Sequence, residues 1–177
     1  MKKALSILVI LIAFLFLYFL QSNFFSWFTI SGISPNLFII LTLLIGLFAG
    51  KKLGSCMGLF FGLYLDIVIG KNLGLSTVML TFVGFLGGCF DKTFSKESRL
   101  TIMLMVIGST CIYEIGYYIL EIIEQSIYIE ILPFIRILAI EVIYNSILTV
   151  ILYPCIQKLG YLLEDIWKGQ KILTRYF

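Results

Sequence analysis

The sequence predicts an all-α integral membrane protein with about six transmembrane helices. Three features lead to this prediction: the composition, a series of long apolar runs, and the positions of the basic residues. Of the 177 residues, 60% are hydrophobic and 13% are charged, whereas about a quarter of the residues in a soluble domain are charged. A chain so poor in charge cannot cover a water-facing surface, so lipid must be much of its solvent. The length fits a single domain.

Six apolar runs follow one another, separated by short segments. A spanning helix needs about 20 mostly apolar residues, because hydrocarbon cannot hydrogen-bond an exposed backbone. The predicted spans are Ala4–Leu20, Pro35–Ala49, Leu53–Ile69, Leu73–Phe90, Leu100–Ile123 and Ile131–Tyr153. The second and third are short. They are therefore predicted either to cross nearly upright in a thinned bilayer or to form a re-entrant hairpin.

The basic residues predict that both termini lie in the cytoplasm. Eleven of the 13 Lys and Arg residues fall at the N-terminus, in alternate loops and after the sixth run. Cytoplasmic segments collect basic residues, and six spans with a cytoplasmic N-terminus produce this alternation. Lys71 and Arg136 are the two exceptions.

The two ends of the chain need separate interpretation. Lys2, Lys3 and the first run resemble a signal peptide, but no small-residue cleavage site follows, so an uncleaved span is predicted. After Pro154, apolar residues recur at helical spacing between charged ones. This pattern predicts an amphipathic helix on the inner leaflet, with a frayed continuation of the sixth span as the alternative. The predicted division is a six-span domain, 1–154, and a cytoplasmic tail, 155–177.

Five glycines recur every four residues across the second and third runs. They are Gly46, Gly50, Gly54, Gly58 and Gly62. This spacing places small residues on one helix face, where two backbones can approach closely. Because two lysines at 51–52 mark a turn inside the series, the glycines are divided between two helices. They are predicted to serve either packing within the chain or an interface with a partner.

Five charged residues inside the runs are predicted to form an intramembrane polar network. They are Asp66, Glu114, Glu121, Arg136 and Glu141. Charges in hydrocarbon are costly, so they face protein or water. Arg136 is predicted to pair with Glu121, and the deeper Glu114 and Glu141 should resist joint ionisation. The network is either structural or a site for a ligand or proton.

Asp66 has three candidate roles: it caps the fourth helix, pairs with Lys71, or binds a ligand. Capping or pairing is the favoured interpretation, because the acid lies just before the fourth run.

The remaining chemistry-bearing residues indicate no catalytic apparatus. The chain has no histidine, the commonest general base and metal ligand. The four cysteines show no CxxC spacing and are predicted to be free thiols. No metal site, cofactor, nucleic-acid partner or enzymatic activity is predicted.

Several motifs resemble those of the rod shape-determining protein MreD family. They are Pro35 at the start of the second run, the spacing of Gly54, Gly58 and Gly62, Gly62-Leu63-x-x-Asp66, and Gly70-Lys71-Asn72-Leu73-Gly74-Leu75. The motifs cover residues 35–90. Lysines stand at 51–52, where this family often carries an arginine.

This resemblance implies a multi-pass protein of the bacterial inner membrane without established enzymatic activity. It would act as a scaffold of the cell-elongation complex, which synthesises lateral peptidoglycan. The implied partners are a single-span MreC-like protein, an MreB-like actin homologue, a RodA-type glycosyltransferase and a transpeptidase. An alternative is a small-molecule-binding subunit of an energy-coupling-factor-type transporter, which also has about six spans. The deep acids favour this alternative, but Ala4 and Ala13 lack the AxxxA spacing that such subunits carry.

Overall fold

The described residues form six α-helices, one for each apolar run of the sequence. A computed structural model describes residues 2–69, 74–91, 96, 98–125 and 130–168. The helices are α1 (Lys2–Phe19), α2 (Leu37–Ala49), α3 (Lys51–Ile69), α4 (Leu75–Phe90), α5 (Arg99–Gln125) and α6 (Ile131–Lys168), and Leu20–Phe24 form a π-helical turn after α1. Each of the first five predicted runs coincides with one helix to within a few residues, and α6 begins with the sixth run but continues to Lys168. The all-α prediction is confirmed.

Three helical segments of the described chain are long and apolar enough to cross a membrane. They are Lys2–Phe24, Arg99–Glu124 and Ile131–Lys168. Two further apolar helices are shorter: α2 has 13 residues and α4 has 16. At 1.5 Å per residue, α2 is about 20 Å long, against about 30 Å for the hydrocarbon core. These lengths and compositions identify a membrane protein.

Two glycines with positive φ lie at helix boundaries, one between α2 and α3 and one immediately before α4. Gly50 separates α2 from α3 with φ +97°, and Gly74 precedes α4 with φ +100°. Both values lie in the left-handed region, which side-chain-bearing residues rarely adopt. Gly50 is therefore the single residue between the end of α2 at Ala49 and the start of α3 at Lys51.

Helices α2, α3 and α4 pack backbone against backbone. A Cβ atom on Gly54 would collide with the carbonyl oxygen of Gly84, and one on Gly84 would collide with that of Gly54. A Cβ on Gly58 would meet the carbonyl oxygen of Leu80. Further contacts of this kind join Gly46 to Gly54, Gly84 and Gly88, Gly62 to Thr77, Gly87 to Leu43, and Gly88 to Lys51. This glycine-packed unit is the centre of the fold.

The first helix packs on this unit through aromatic side chains, of which Phe14 is the most buried. Phe14 is 1% exposed. Its ring stacks on Phe61 of α3, with centroids 4.2 Å apart and planes 3° from parallel. It also contacts Phe38 of α2 at 5.3 Å and the edge of Tyr64 of α3 at 5.3 Å. Phe14 thus holds the middle of α1 against both helices.

The last helix continues without a break through Pro154. A proline inside a helix removes one backbone hydrogen bond, yet α6 extends to Lys168. Its second half packs along α2, where the ring of Phe48 occupies the space next to Gly160. Near its end, the indole Nε1 of Trp167 donates a 3.0 Å hydrogen bond to the hydroxyl of Ser6 in α1. Residues 155–168 are therefore part of the packed helix assembly.

The backbone contact of Gly58 predicts a large effect of adding one methyl group. We expect Gly58→Ala to lower the thermal unfolding temperature in detergent, because overpacking a close contact costs about 1–3 kcal/mol. Gly108→Ala in α5 is the matched control, since a Cβ there meets no atom within 4 Å. That variant should be neutral or slightly stabilising, because alanine favours helix. Equal unfolding temperatures for the two variants would contradict the packing of α3 on α4.

Candidate functional site

The structure places all five glycines of the fourfold series within the chain's own architecture. Gly46, Gly54, Gly58 and Gly62 face helix backbones of the same chain, and Gly50 forms the turn. Of the two interpretations of the series, packing within the chain accounts for every one of these contacts.

Asp66 caps the N-terminus of α4 from the neighbouring helix α3. It is 3% exposed. Its Oδ2 accepts hydrogen bonds from the backbone amides of Gly74 and Thr77, both at 3.0 Å, and from the Thr77 hydroxyl at 2.6 Å. Its Oδ1 accepts one from the amide of Ser76 at 3.1 Å. The first amides of a helix have no intrahelical partner and attract negative charge. The acid therefore has a structural role, and pairing with Lys71 lies outside the described residues.

A polar cluster lies where α2 begins and α5 meets α6. The Glu141 side chain lies close to those of Glu114, Asn36 and Asn145. Asn145 also accepts a 2.9 Å bond from the backbone amide of Asn36 and donates a 3.1 Å bond to the hydroxyl of Thr110. Glu141 is 6% exposed and Asn145 is fully buried. The two deep acids predicted from the sequence thus share one cluster.

Two oxygen atoms of this cluster have no hydrogen-bond partner among the described residues. They are Oε1 of Glu141 and Oδ1 of Asn36, both inaccessible to solvent. Both atoms are acceptors. Any group that entered the cluster would have to donate hydrogen bonds or carry positive charge. The cluster contains no nucleophile and base in contact, so its chemistry is that of hydrogen bonding and charge.

The other two charged residues of the predicted network, Glu121 and Arg136, are not paired with each other. Arg136 is exposed on α6. Among the ion pairs of the described residues, none joins Arg136 to Glu121. Glu121 instead interacts electrostatically with Glu114, seven residues earlier on α5. Asp66 likewise belongs to its own capping site, so the five charged residues form separate groups.

An ion-pair network joins the end of α4 to the end of α6. Lys96 forms ion pairs with Asp91 and, at 2.6 Å, with Glu164. Lys168 lies 2.7 Å from Asp91 and 3.8 Å from Glu164. The side chains of Lys96 and Glu164 are only 4% and 7% exposed. These four residues, called here the ion-pair network, are more deeply buried than ordinary surface charges.

The ion-pair network also contacts the C-terminal end of α2. The ammonium group of Lys168 donates a 3.1 Å hydrogen bond to the carbonyl oxygen of Leu47. Lys96 lies over the ring of Phe48, 5.6 Å from its centroid. The last carbonyl groups of a helix have no intrahelical partner, and cations near them are stabilising. The network therefore ties α2, α4 and α6 together at one end of the molecule.

The contacts within the ion-pair network shift the pKa values of Asp91 and Lys96. Burial raises the pKa of Asp91, but hydrogen bonds and attraction from Lys168 and Lys96 outweigh it and leave that pKa below 3.8. Burial lowers the pKa of Lys96, but its bonds to Asp91 and Glu164 outweigh it and leave that pKa above 10.5. The contribution of Asp91 to stability is lost only as pH falls through its lowered pKa. That of Lys96 is lost only as pH rises through its raised pKa.

Sequence analysis missed the ion-pair network. The lysines counted only as markers of the cytoplasmic side, and Lys96 lies 68 positions from Glu164. One local signal was present, because Glu164 and Lys168 stand four residues apart on one helix, a spacing typical of ion pairs. The partners Asp91 and Lys96 are brought to Glu164 because α4 and α6 both pack on α2.

These features define the chain as an all-helical membrane protein whose charged groups hold helix ends together. Comparison with known families is more specific. The model of the family described as rod shape-determining protein MreD matches residues 1–162. The chain belongs to this family, and the expected family membership is confirmed. No curated protein and no solved structure matches the chain. Nothing in the comparisons supports the alternative of a transporter subunit.

The burial of the ion-pair network predicts unequal effects for two adjacent acids. We expect Glu164→Gln to destabilise the protein by about 3 kcal/mol, because it leaves a buried cation short of a partner. Asp165→Asn is the control, since Asp165 is exposed, and surface changes of this kind cost less than about 0.5 kcal/mol. Thermal unfolding of both variants in one detergent measures the difference. A loss at Asp165 equal to that at Glu164 would contradict the network.

Proposed function

We propose that this protein is a non-enzymatic scaffold subunit of the bacterial cell-elongation complex, the machinery of lateral peptidoglycan synthesis. Membership of the MreD family, whose role is rod shape determination, is the observation that carries the proposal. The proposed partners are a single-span MreC-like protein, an MreB-like actin homologue, a RodA-type glycosyltransferase and a transpeptidase.

The packing of the described residues supports a scaffold role. The glycines and Asp66 are used in contacts between helices of this chain. The ion-pair network is likewise internal. A scaffold acts on wall synthesis by binding its partners, so its binding surfaces lie on the outward faces of its helices.

We further propose that all six helices cross the inner membrane, with residues 1–154 as the membrane domain and both termini in the cytoplasm. The alternation of basic residues supports this arrangement. The ion-pair network and the ends of α4 and α6 then lie at the cytoplasmic face, together with the last residues of the tail. This places Trp167 at the membrane surface, where tryptophan is enriched.

The proposed orientation predicts which positions thiol reagents reach in intact cells. Single cysteines are introduced at Phe94, Ile127 or Gln170 after the four native cysteines have been replaced. An impermeant reagent added outside should label position 127 and leave positions 94 and 170 unlabelled until the cells are opened. External labelling at position 94 would overturn the six-span arrangement.

The proposed function predicts a change of cell shape when the protein is lost. Depletion should convert rods into rounded cells, and the wild-type gene should restore rods. Gly58→Leu should fail to restore shape because the backbone contact with Leu80 is broken, and its protein level should fall in parallel. Gly108→Leu is a substitution into open space on α5, so this variant should accumulate normally. Its effect on cell shape therefore tests the outer surface of α5 rather than the packing of the chain. Microscopy, immunoblotting and co-purification with the MreC-like protein measure these outcomes. Rod-shaped depleted cells would contradict the function.

A further inference from the structure

A groove lies between α1, α2 and the second half of α6. Its volume is about 460 Å³. Its walls are almost entirely apolar and include Leu5, Val9 and Ala13 of α1, Leu44 of α2, and Leu159 and Leu163 of α6. Along α1 it extends from Lys2 to Leu17, which at 1.5 Å per residue is about 22 Å. The groove is therefore long and follows the axis of α1.

The way α1 is held explains why this groove exists. Phe14 attaches the middle of α1 to α2 and α3 by its aromatic contacts. The hydrogen bond from Trp167 to Ser6 attaches the beginning of α1 to the end of α6. The groove extends along α1 past both attachments, and its lining is mostly aliphatic, with Phe16 and Phe48 as its aromatic members. Both points fix α1 without closing the space between it and α6.

One end of the groove is basic and the rest is hydrocarbon-like. Lys2 lines this end and is exposed. Among the ion pairs of the described residues none includes Lys2, whereas Lys168 is engaged with Asp91 and Glu164. Lys3, its neighbour, lies over the ring of Trp167 at 5.3 Å from the centroid. Basic residues beside a membrane surface attract anionic lipid headgroups.

This polarity selects one kind of occupant. A spanning partner helix presents apolar side chains along the whole hydrocarbon thickness of about 30 Å and does not require a cation at one end. An amphiphile with an anionic head and an apolar chain matches both the basic end and the apolar wall. We propose that the groove between α1, α2 and α6 binds an anionic phospholipid, with one of its two acyl chains along α1 and its headgroup at Lys2. Only the assignment of this lipid to the inner leaflet depends on the proposed cytoplasmic location of the N-terminus.

Lipid retention by the purified protein tests this proposal without reference to cell shape or topology. The protein is reconstituted with an equal mixture of phosphatidylglycerol and phosphatidylethanolamine, transferred to mild detergent, and examined by native mass spectrometry. We expect one phosphatidylglycerol to remain bound per chain, in preference to phosphatidylethanolamine. Lys2→Ala should reduce that preference about fivefold, the contribution of one basic residue near an anionic headgroup. Lys52→Ala, at an exposed lysine outside the groove, should leave it unchanged.

Two filling variants test the position of the acyl chain. Ala13→Phe and Val9→Phe project into the groove and should reduce lipid retention severalfold, while unfolding temperature reports whether each variant still folds. Ile12→Phe, on the exposed face of α1 outside the groove, should retain lipid as the wild type does. Equal retention of the two lipids, or retention that the filling variants leave unchanged, would overturn the proposal. Cross-linking of a cysteine at Ala13 to a protein span in cells would also overturn it, because the occupant would then be a helix.

Discussion

The backbone contact among α2, α3 and α4 is the constraint on which the rest of the structure depends. Lipid chains are as apolar as leucine, so burial from water cannot hold these helices together, and close van der Waals contact must do so. Glycines at the contacts let carbonyl groups of one helix touch the backbone of the next. Phe14 then packs α1 on this unit, and Phe48 provides the surface for the second half of α6.

Polar groups secure the ends of the helices that glycine brings together. Asp66 satisfies the first amides of α4, and Lys168 satisfies a late carbonyl group of α2. Each unsatisfied backbone group would be costly away from water. The polar cluster around Glu141 also satisfies a backbone group, because Asn145 accepts a hydrogen bond from the amide of Asn36 at the start of α2. Asp66 and Lys168 therefore lie where helix backbones need partners.

Much of the fold could be predicted from the sequence, because apolar runs and glycine spacing are local signals. The six runs gave the six helices, and the two lysines at 51–52 correctly divided the glycines between α2 and α3. Contacts between residues far apart in the chain were harder to predict from the sequence. Opposite charge suggested a pair between Glu121 and Arg136, but helix rotation leaves Arg136 exposed. The partners of Glu164 could not be predicted, because Asp91 and Lys96 reach it only through the packing of distant helices.

Backbone hydrogen exchange in a lipid nanodisc most directly tests the claim that glycine contacts make α2, α3 and α4 one unit. Helices that share backbone contacts should open together, whereas peripheral helices open at lower free energy. The structure predicts that the central amides of α2, α3 and α4 exchange last and at one common rate, after those of α1. Exchange of α4 at a rate independent of α3, or earlier than α1, would contradict this account.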